Sequence, residues 1–272
     1  MNVRFDLHVH STLSDGASSR NDIIKTAINN NVSYISFTDH NICESSFNLA
    51  SGIKIIDGIE IDCVFEGKKI HLLAYGINDL KKINDALRKL NLENDYICRL
   101  AIKILEQKYK IIISDNDIKK YTKDLLNKRI IAKILLEKFN TEDIDFVYRN
   151  FIGSRSQTYI KQKKLQLKET IDFLKTLNSI LVLAHPITLF NQCSSINEFE
   201  SMLKKFFSYG LDGLEVINPK NTIDFSDYLE HNMVFSDFIK TAGTDYHGVA
   251  EKYRGINYGN EKYLTPLLKR LG

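Results

Sequence analysis

Residues 3–10 alternate apolar and polar side chains with the period of two expected of a strand. Caps at 18–22 then start a predicted helix reaching about Asn30, and 34–38 read as a second strand. Two β-rich runs at 53–65 and 69–77, separated by Glu66-Gly67-Lys68, predict a hairpin or two neighbouring strands. Between 79 and 164 the pattern changes to long, charged segments of helical period, at 80–109, 115–123, 126–139 and 141–150, with scarcely a Gly or Pro. Beyond 164 the alternation returns, with helices predicted at 165–178, 196–209 and 222–232 and strands at 179–184, 213–217 and 239–243.

Repeated strand and helix units imply an α/β domain built on a parallel sheet or barrel, formed by 1–78 and 165–272. The helical stretch 79–164 is expected as an insertion into it. A chain of 272 residues is long enough to give both parts real cores.

Composition narrows the class. A hydrophobic content of 43% and a charged content of 26% fit an ordinary globular protein and exclude a disordered one. No run approaches the roughly 18 apolar residues of a membrane span. The first strand follows Met1 and Asn2 directly, which leaves no room for a signal peptide and predicts a cytoplasmic location. Cys43, Cys63, Cys98 and Cys193 form no CxxC pair, so they are expected to be small core residues in a reducing compartment. The net charge of +3 is unevenly spread: residues 81–168 hold 21 basic and 11 acidic residues, and the rest hold 16 and 23. The basic insertion either attracts an anionic substrate or presents solvated helix faces.

Candidate chemistry lies in the acidic part. His8 and His10 are two apart on the first strand, so they share a face with Asp6, and Asp15 follows in the next loop. Thr38-Asp39-His40 closes the second strand, Gly58-Ile59-Glu60 lies in the third, and His71 interrupts an apolar run in the fourth. Ala184-His185-Pro186 and Gly243-Thr244-Asp245-Tyr246-His247-Gly248 follow later strands. Six of the seven histidines thus fall in or just beyond β segments, where sites of α/β folds assemble. His231, in a helical acidic stretch, is expected on the surface. Imidazoles and carboxylates without thiolates suit Zn, Mn or Fe rather than a structural cysteine site.

These motifs, together with Gly213-Leu214-Glu215-Val216, resemble in order and spacing the PHP superfamily, named for polymerase and histidinol phosphatase domains, and within it the stand-alone phosphoesterases. The resemblance implies a distorted seven-stranded β/α barrel, a (β/α)7 barrel with a helical insertion, holding two to three divalent ions (Mn, Fe or Zn) at its C-terminal mouth. Carried over residue by residue, it implies one metal on His8, His10, Glu60 and Asp245, a second on Glu60, His71 and His185, and a third on Asp15, His40 and His247. Glu60 would bridge. Members of this group usually have a second Asp after Thr-Asp-His, where this chain has Asn41.

Two or more such ions would lower the pKa of a bridging water and neutralise charge on a transferring phosphoryl group, so that hydroxide cleaves a phosphoester. Asp6, Asp39 and Glu215 are candidate orienters of the ligating histidines, with strand-end or capping roles as the alternative. Arg155, in Gly153-Ser154-Arg155-Ser156 where the insertion ends, is the first candidate phosphate anchor, against a plain exposed loop arginine. Ser11 would donate to a phosphate or fix the loop after His10, and Arg254 is a further anchor candidate.

The resemblance implies a nucleotide-type substrate, a nucleoside 3′,5′-bisphosphate or the 5′ end of short RNA or DNA; no membrane is expected, and no obligate protein partner is inferred. Histidinol phosphate is less favoured, because the insertion and exit segment differ from that branch. Two other classes compete: a non-catalytic, metal-stabilised nucleotide or nucleic-acid binding module, and an amidohydrolase-type C–N hydrolase, whose barrels also begin with HxH.

Overall fold

The first strand, β1 (Arg4–Val9), is buried along almost its whole length, as a strand covered on both faces must be. Helix α1 (Arg20–Asn29) follows, its N-terminus capped by the Ser19 side chain accepting from the Asp22 amide. Its apolar face, Ile23, Ile24 and Ala27, packs on Val9, Ile35 and Phe37, which places strand β2 (Val32–Phe37) parallel to β1. The computed structural model describes residues 3–45, 52–122, 125–153, 156–159, 161, 163–248 and 261–272.

Strands β3 (Lys54–Phe65) and β4 (Lys68–Tyr75) form the expected hairpin, with Phe65 paired to Lys68. The two residues between them, Glu66 (φ 48°) and Gly67 (φ 80°), both take the positive φ that a tight primed turn needs. Helix α2 (Leu80–Tyr109) is followed by α3 (Asp115–Lys119), α4 (Lys128–Phe139), α5 (Ile144–Val147) and a π-turn at Tyr148–Ile152. The chain then adds β5 (Leu165–Gln166), α6 (Leu167–Lys175), β6 (Ile180–Leu183), α7 (Ile187–Phe190), α8 (Ile196–Tyr209), β7 (Gly213–Ile217), α9 (Ile223–His231), β8 (Ile239–Ala242) and α10 (Thr265–Leu271).

The sheet runs β1-β2-β3-β4-β6-β7-β8, with β5 attached to β3 beside the main path. Neighbours are parallel except that β4 is antiparallel to both β3 and β6. The ring closes beyond the strand ends, where Val9 bridges Tyr246, the His10 amide donates to Tyr246 O (2.9 Å) and the Asp245 amide to His8 O (2.9 Å). Seven strands thus make the distorted barrel, and closure occurs at the residues that carry the histidine motifs.

The chain divides into two compact units, Met1–Asn84 with Leu165–Gly272, and Asp85–Lys164. The second unit has a core of its own, in which Cys98, Leu105, Ile130, Ile131, Leu135, Val147 and Ile152 are buried together. Several boundaries differ from expectation, three of them for evident local reasons. The predicted helix at 165–178 begins at Leu167, because Leu165 and Gln166 first pair with Cys63 and Val64. The one at 141–150 begins after Asp143, whose side chain caps the Phe146 amide. Its far end loosens into the π-turn. Cys43, Cys63 and Cys98 are buried, Cys193 is half-buried, and none is disulfide-bonded. No helix among the described residues is long and apolar enough to cross a membrane.

Candidate metal centre

The alternation of β1 sends Asp6, His8 and His10 to one face, and all three are fully buried. The Nε2 atoms of His8 and His10 stand 3.1 Å apart. Glu215 on β7 holds the other ring nitrogen of His8, Nδ1, at 2.9 Å. A carboxylate can only accept, so His8 carries its proton on Nδ1 and turns the Nε2 lone pair inward. The second oxygen of Glu215 accepts from the His185 amide (2.8 Å) and Asn218 Nδ2 (3.0 Å), so one buried carboxylate fixes three segments.

The chain continues from β2 into a bridge between His40 and Glu60, with the Asn41 amide donating to Glu60 O (2.9 Å). Asn41 is left-handed (φ 55°), a conformation Asn tolerates, and its Oδ1 accepts from the Asp62 amide (3.1 Å). Glu60 Oε1 lies 2.9 Å from His71 Nδ1 and 3.1 Å from His185 Nε2. Its Oε2 lies 3.0 Å from His40 Nε2 and 3.3 Å from His10 Nε2. Asp245 Oδ1 is 3.4 Å from His8 Nε2 and 3.3 Å from His10 Nε2. Asp15 faces His10 at 3.5 Å and His247 at 3.3 Å.

The structure therefore brings all nine sequence-derived candidates together. Ligand atoms lie within 4.8 Å of one another in each of four groups: His8, His10, Glu60 and Asp245; Glu60, His71 and His185; His10, Asp15, His40 and His247; and His40, Asp62 and His71. The first three reproduce the implied groupings, with His10 added to the third.

Electrostatics follow from this crowding. Burial pushes the His8 imidazole down, but the Glu215, Asp245 and Glu60 charges hold it well above its usual value. His10 rises to about 9 for similar reasons, as the Asp245, Glu60 and Asp15 carboxylates that face it outweigh burial. Burial pushes Glu60 up, yet the surrounding imidazoles His40, His71 and His8 hold it well below the usual carboxylate range. Burial lowers His185, outweighing the opposing pull of Glu60. These buried carboxylates call for cations.

Several sequence-derived roles take a more specific form. Asp6 accepts from the Thr244 amide (2.9 Å) and hydroxyl (2.6 Å) and from the His8 amide (3.2 Å) rather than from an imidazole nitrogen, fixing the turn that delivers Asp245; burial lifts its carboxyl to about 6. Asp39 contacts Ser11, Ser14 and Arg20 rather than a histidine, so it holds the loop after His10. The Ser11 hydroxyl is buried and donates to Asp39 (2.9 Å), which corresponds to the loop-fixing role for Ser11. Glu215 lies against His8 Nδ1. Arg155 and Arg254 lie outside the described residues. His231 is exposed at the end of α9.

Other contributors were not singled out from sequence. Asp62 Oδ1 lies 3.0 Å from His71 Nε2, its cross-strand neighbour, a pairing that the hairpin register alone would have revealed. Thr188 Oγ1 meets His185 Nδ1 at 3.1 Å. Lys220 pairs with Asp245 Oδ2. His185 (φ 29°) and Asp245 (φ 54°) hold positive φ, backbone strain of the kind that concentrates at functional sites.

Residues 6–216 match the family model of the PHP domain. The chain is 22% identical to a phosphoribosyl 1,2-cyclic phosphate 1,2-diphosphodiesterase of Eggerthella lenta, covering 89% of this chain and 94% of that protein. It is 23% identical to a 5′-3′ exoribonuclease of Haemophilus influenzae, covering 91% of each. It is 21% identical to a 3′,5′-nucleoside bisphosphate phosphatase of Chromobacterium violaceum, covering 98% of this chain and 94% of that protein. Among solved structures, a protein assigned as a metal-dependent phosphoesterase from Bifidobacterium adolescentis superposes with a TM-score of 0.81 at 21% identity, covering 98% and 96%. An amidohydrolase of Chromobacterium violaceum gives 0.82 at 18% identity, covering 98% and 97%. At these identities the structural likeness concerns the fold.

Proposed function

The chain belongs to the PHP domain family, and from that premise we propose that it is a metal-dependent phosphoesterase whose substrate is of nucleotide type. The observation that carries the proposal is the convergence of six imidazoles and three carboxylates, from seven separate segments, into overlapping groups at one barrel mouth. A metal fits these residues on the chemistry of their atoms. Glu60 Oε2 and His10 Nδ1 are buried without a hydrogen bond, and two histidine Nε2 atoms face each other 3.1 Å apart, an arrangement a shared cation satisfies.

His8, His10, Glu60 and Asp245 would hold one ion, Glu60, His71 and His185 a second, and Asp15, His40 and His247 a third. Manganese, iron or zinc suits this donor set. When bound, such ions supply Lewis acidity and an activated water for displacement at phosphorus. The chain's own residues position the donors. Glu215 keeps the proton on His8 Nδ1, Asp62 faces His71 Nε2, Thr188 engages His185 Nδ1, and Asp6 anchors the turn before Asp245. Residues 79–164 are proposed as an insertion into the barrel domain of 1–78 and 165–272, and their excess of basic residues favours an anionic substrate.

Within the substrate class, the bisphosphate phosphatase and exoribonuclease relatives support a nucleoside 3′,5′-bisphosphate or a short 5′-phosphorylated oligonucleotide. Metal analysis of the purified protein, run beside a screen of these substrates and of simple amides, tests the reading. Phosphate release dependent on added Mn²⁺ is expected. Binding without turnover would favour a binding module, and amide cleavage a C–N hydrolase.

A further inference from the structure

The loop after β7, Asn218-Pro219-Lys220-Asn221, is tied down at every polar position. Asn218 Nδ2 donates to Glu215 Oε2 (3.0 Å), and Asn218 Oδ1 accepts from the Lys220 amide (2.9 Å). Asn221 Nδ2 donates to Val216 O (2.9 Å), while its Oδ1 accepts from the Ile187 amide (3.3 Å). The loop is thereby anchored to the carboxylate that orients His8 and to the segment after His185. From this base the Lys220 side chain reaches to Asp245 Oδ2, while His8 and His10 face the other oxygen, Oδ1.

Asp245 is almost wholly enclosed, whereas the Lys220 side chain keeps 45% of its surface exposed. An ammonium has three donors, and the carboxylate cannot occupy them all. Arg20, another described cation beside the motifs, is only 13% exposed and is held by Asp39 and the Phe37 ring. Lys220 therefore combines contact with a candidate ligand, a fixed backbone and donors open to solvent.

We infer that Lys220 is the barrel's own phosphate contact, donating to a non-bridging oxygen of the substrate phosphoryl group while still pairing with Asp245. The role rests on the phosphoesterase reading and deepens it. It assigns the cationic partner that a phosphoryl group needs beyond the metals to a residue of the barrel, independently of Arg155 and the insertion. A lysine serving only to neutralise Asp245 would instead act on the metals, since removing a positive charge beside a ligand alters metal affinity and leaves phosphate binding unchanged.

The test uses Lys220→Met and Lys220→Arg in the full-length, manganese-loaded protein. Metal content is measured by mass spectrometry, inorganic phosphate affinity by calorimetry, and kinetics with adenosine 3′,5′-bisphosphate. The inference expects unchanged metal content in both variants and phosphate affinity about tenfold or more weaker in Lys220→Met, as loss of one charge-assisted hydrogen bond implies. It also expects a raised KM and partial recovery in Lys220→Arg. Equal phosphate affinity in wild type and Lys220→Met, no phosphate binding by wild type, or loss of metal or fold in both variants would overturn it. If wild type turns over no phosphoester yet loses phosphate affinity on Lys220→Met, the phosphoesterase reading fails and the assignment of Lys220 stands.

Discussion

Glu215 shows how much of the centre depends on residues that are not themselves candidate ligands. Its carboxylate joins His8 Nδ1, the His185 amide and Asn218, so Glu215→Gln removes the charge that fixes the His8 tautomer while nearly preserving shape. Metal affinity should fall about 10–100-fold, in the range for such orienting partners, measured as metal retained against graded chelator. Gly243 is the steric counterpart. A Cβ there would stand 2.2 Å from His8 Cβ, 2.5 Å from Glu215 Oε1 and 2.9 Å from the His8 backbone nitrogen, and the two His8 atoms are fixed to the strand. Gly243→Ala should therefore cost about 1–3 kcal/mol by overpacking and displace His8, which paired denaturation and metal titrations would detect. At this scale the ligand candidates were legible because HxH, Thr-Asp-His and Asp-x-His keep their spacing along the chain. Asp62 and Lys220 were not, because their partners are set by hairpin register and by a loop folding back, neither of which leaves a local pattern.

Among the elements, those with a strong period were the most legible. Helix α8 spans the predicted 196–209, since Ser195 caps its start and Gly210 (φ 110°) ends it. The four residues of α7 carry too little periodicity to register. The start of α10 carries a proline in its first turn, Thr265-Pro266, a helix signal too short in sequence to predict an element by period. The antiparallel placement of β4 was implied only by the short turn, yet it sets His71 opposite Asp62 and beside Glu60. Helix α8 also links to that hairpin through Glu198, which accepts from the Ser194 amide and hydroxyl (2.6 Å each) and pairs with Lys68 (3.0 Å). The Ser194 hydrogen bonds, aided by Lys68, pull the Glu198 carboxyl down to about 2. A depressed carboxylate stabilises the fold above its ordinary value of 4.5 and ceases to do so as pH falls through about 2. Glu198→Gln should thus lower the Tm at pH 7, with the gap to wild type constant down to about pH 5 and closing in stronger acid. A gap independent of pH in a series of melting curves would assign the effect to something other than this charge.

For the whole molecule, the centre and the barrel are one construction problem. The candidate ligands come from β1 and its end, the loop after it, the segment after β2, β3, β4 and the segments after β6 and β8, so they span both chain portions of the first unit. The ring itself closes through Val9 and Tyr246, between His8 and His10 on one side and Asp245 and His247 on the other. Without cations, the enclosed Glu60, Asp15 and Asp245 face imidazoles, which pack as closely as 4.1 Å between the His10 and His247 rings, and Asp245 also pairs with Lys220. Bound metals should therefore stabilise the first unit by mass action, by about 2.7 kcal/mol at a hundredfold excess over Kd. The second unit, Asp85–Lys164, has its own core and contributes none of the nine candidate ligands. Hydrogen exchange followed by mass spectrometry before and after chelation separates the two. Amides of β1, β7 and β8 should lose protection, while those of α4 and of α2 beyond Asp85 should keep theirs. An equal loss throughout would mean that the metals stabilise the chain as a single cooperative unit, and no change would mean that the barrel closes without them.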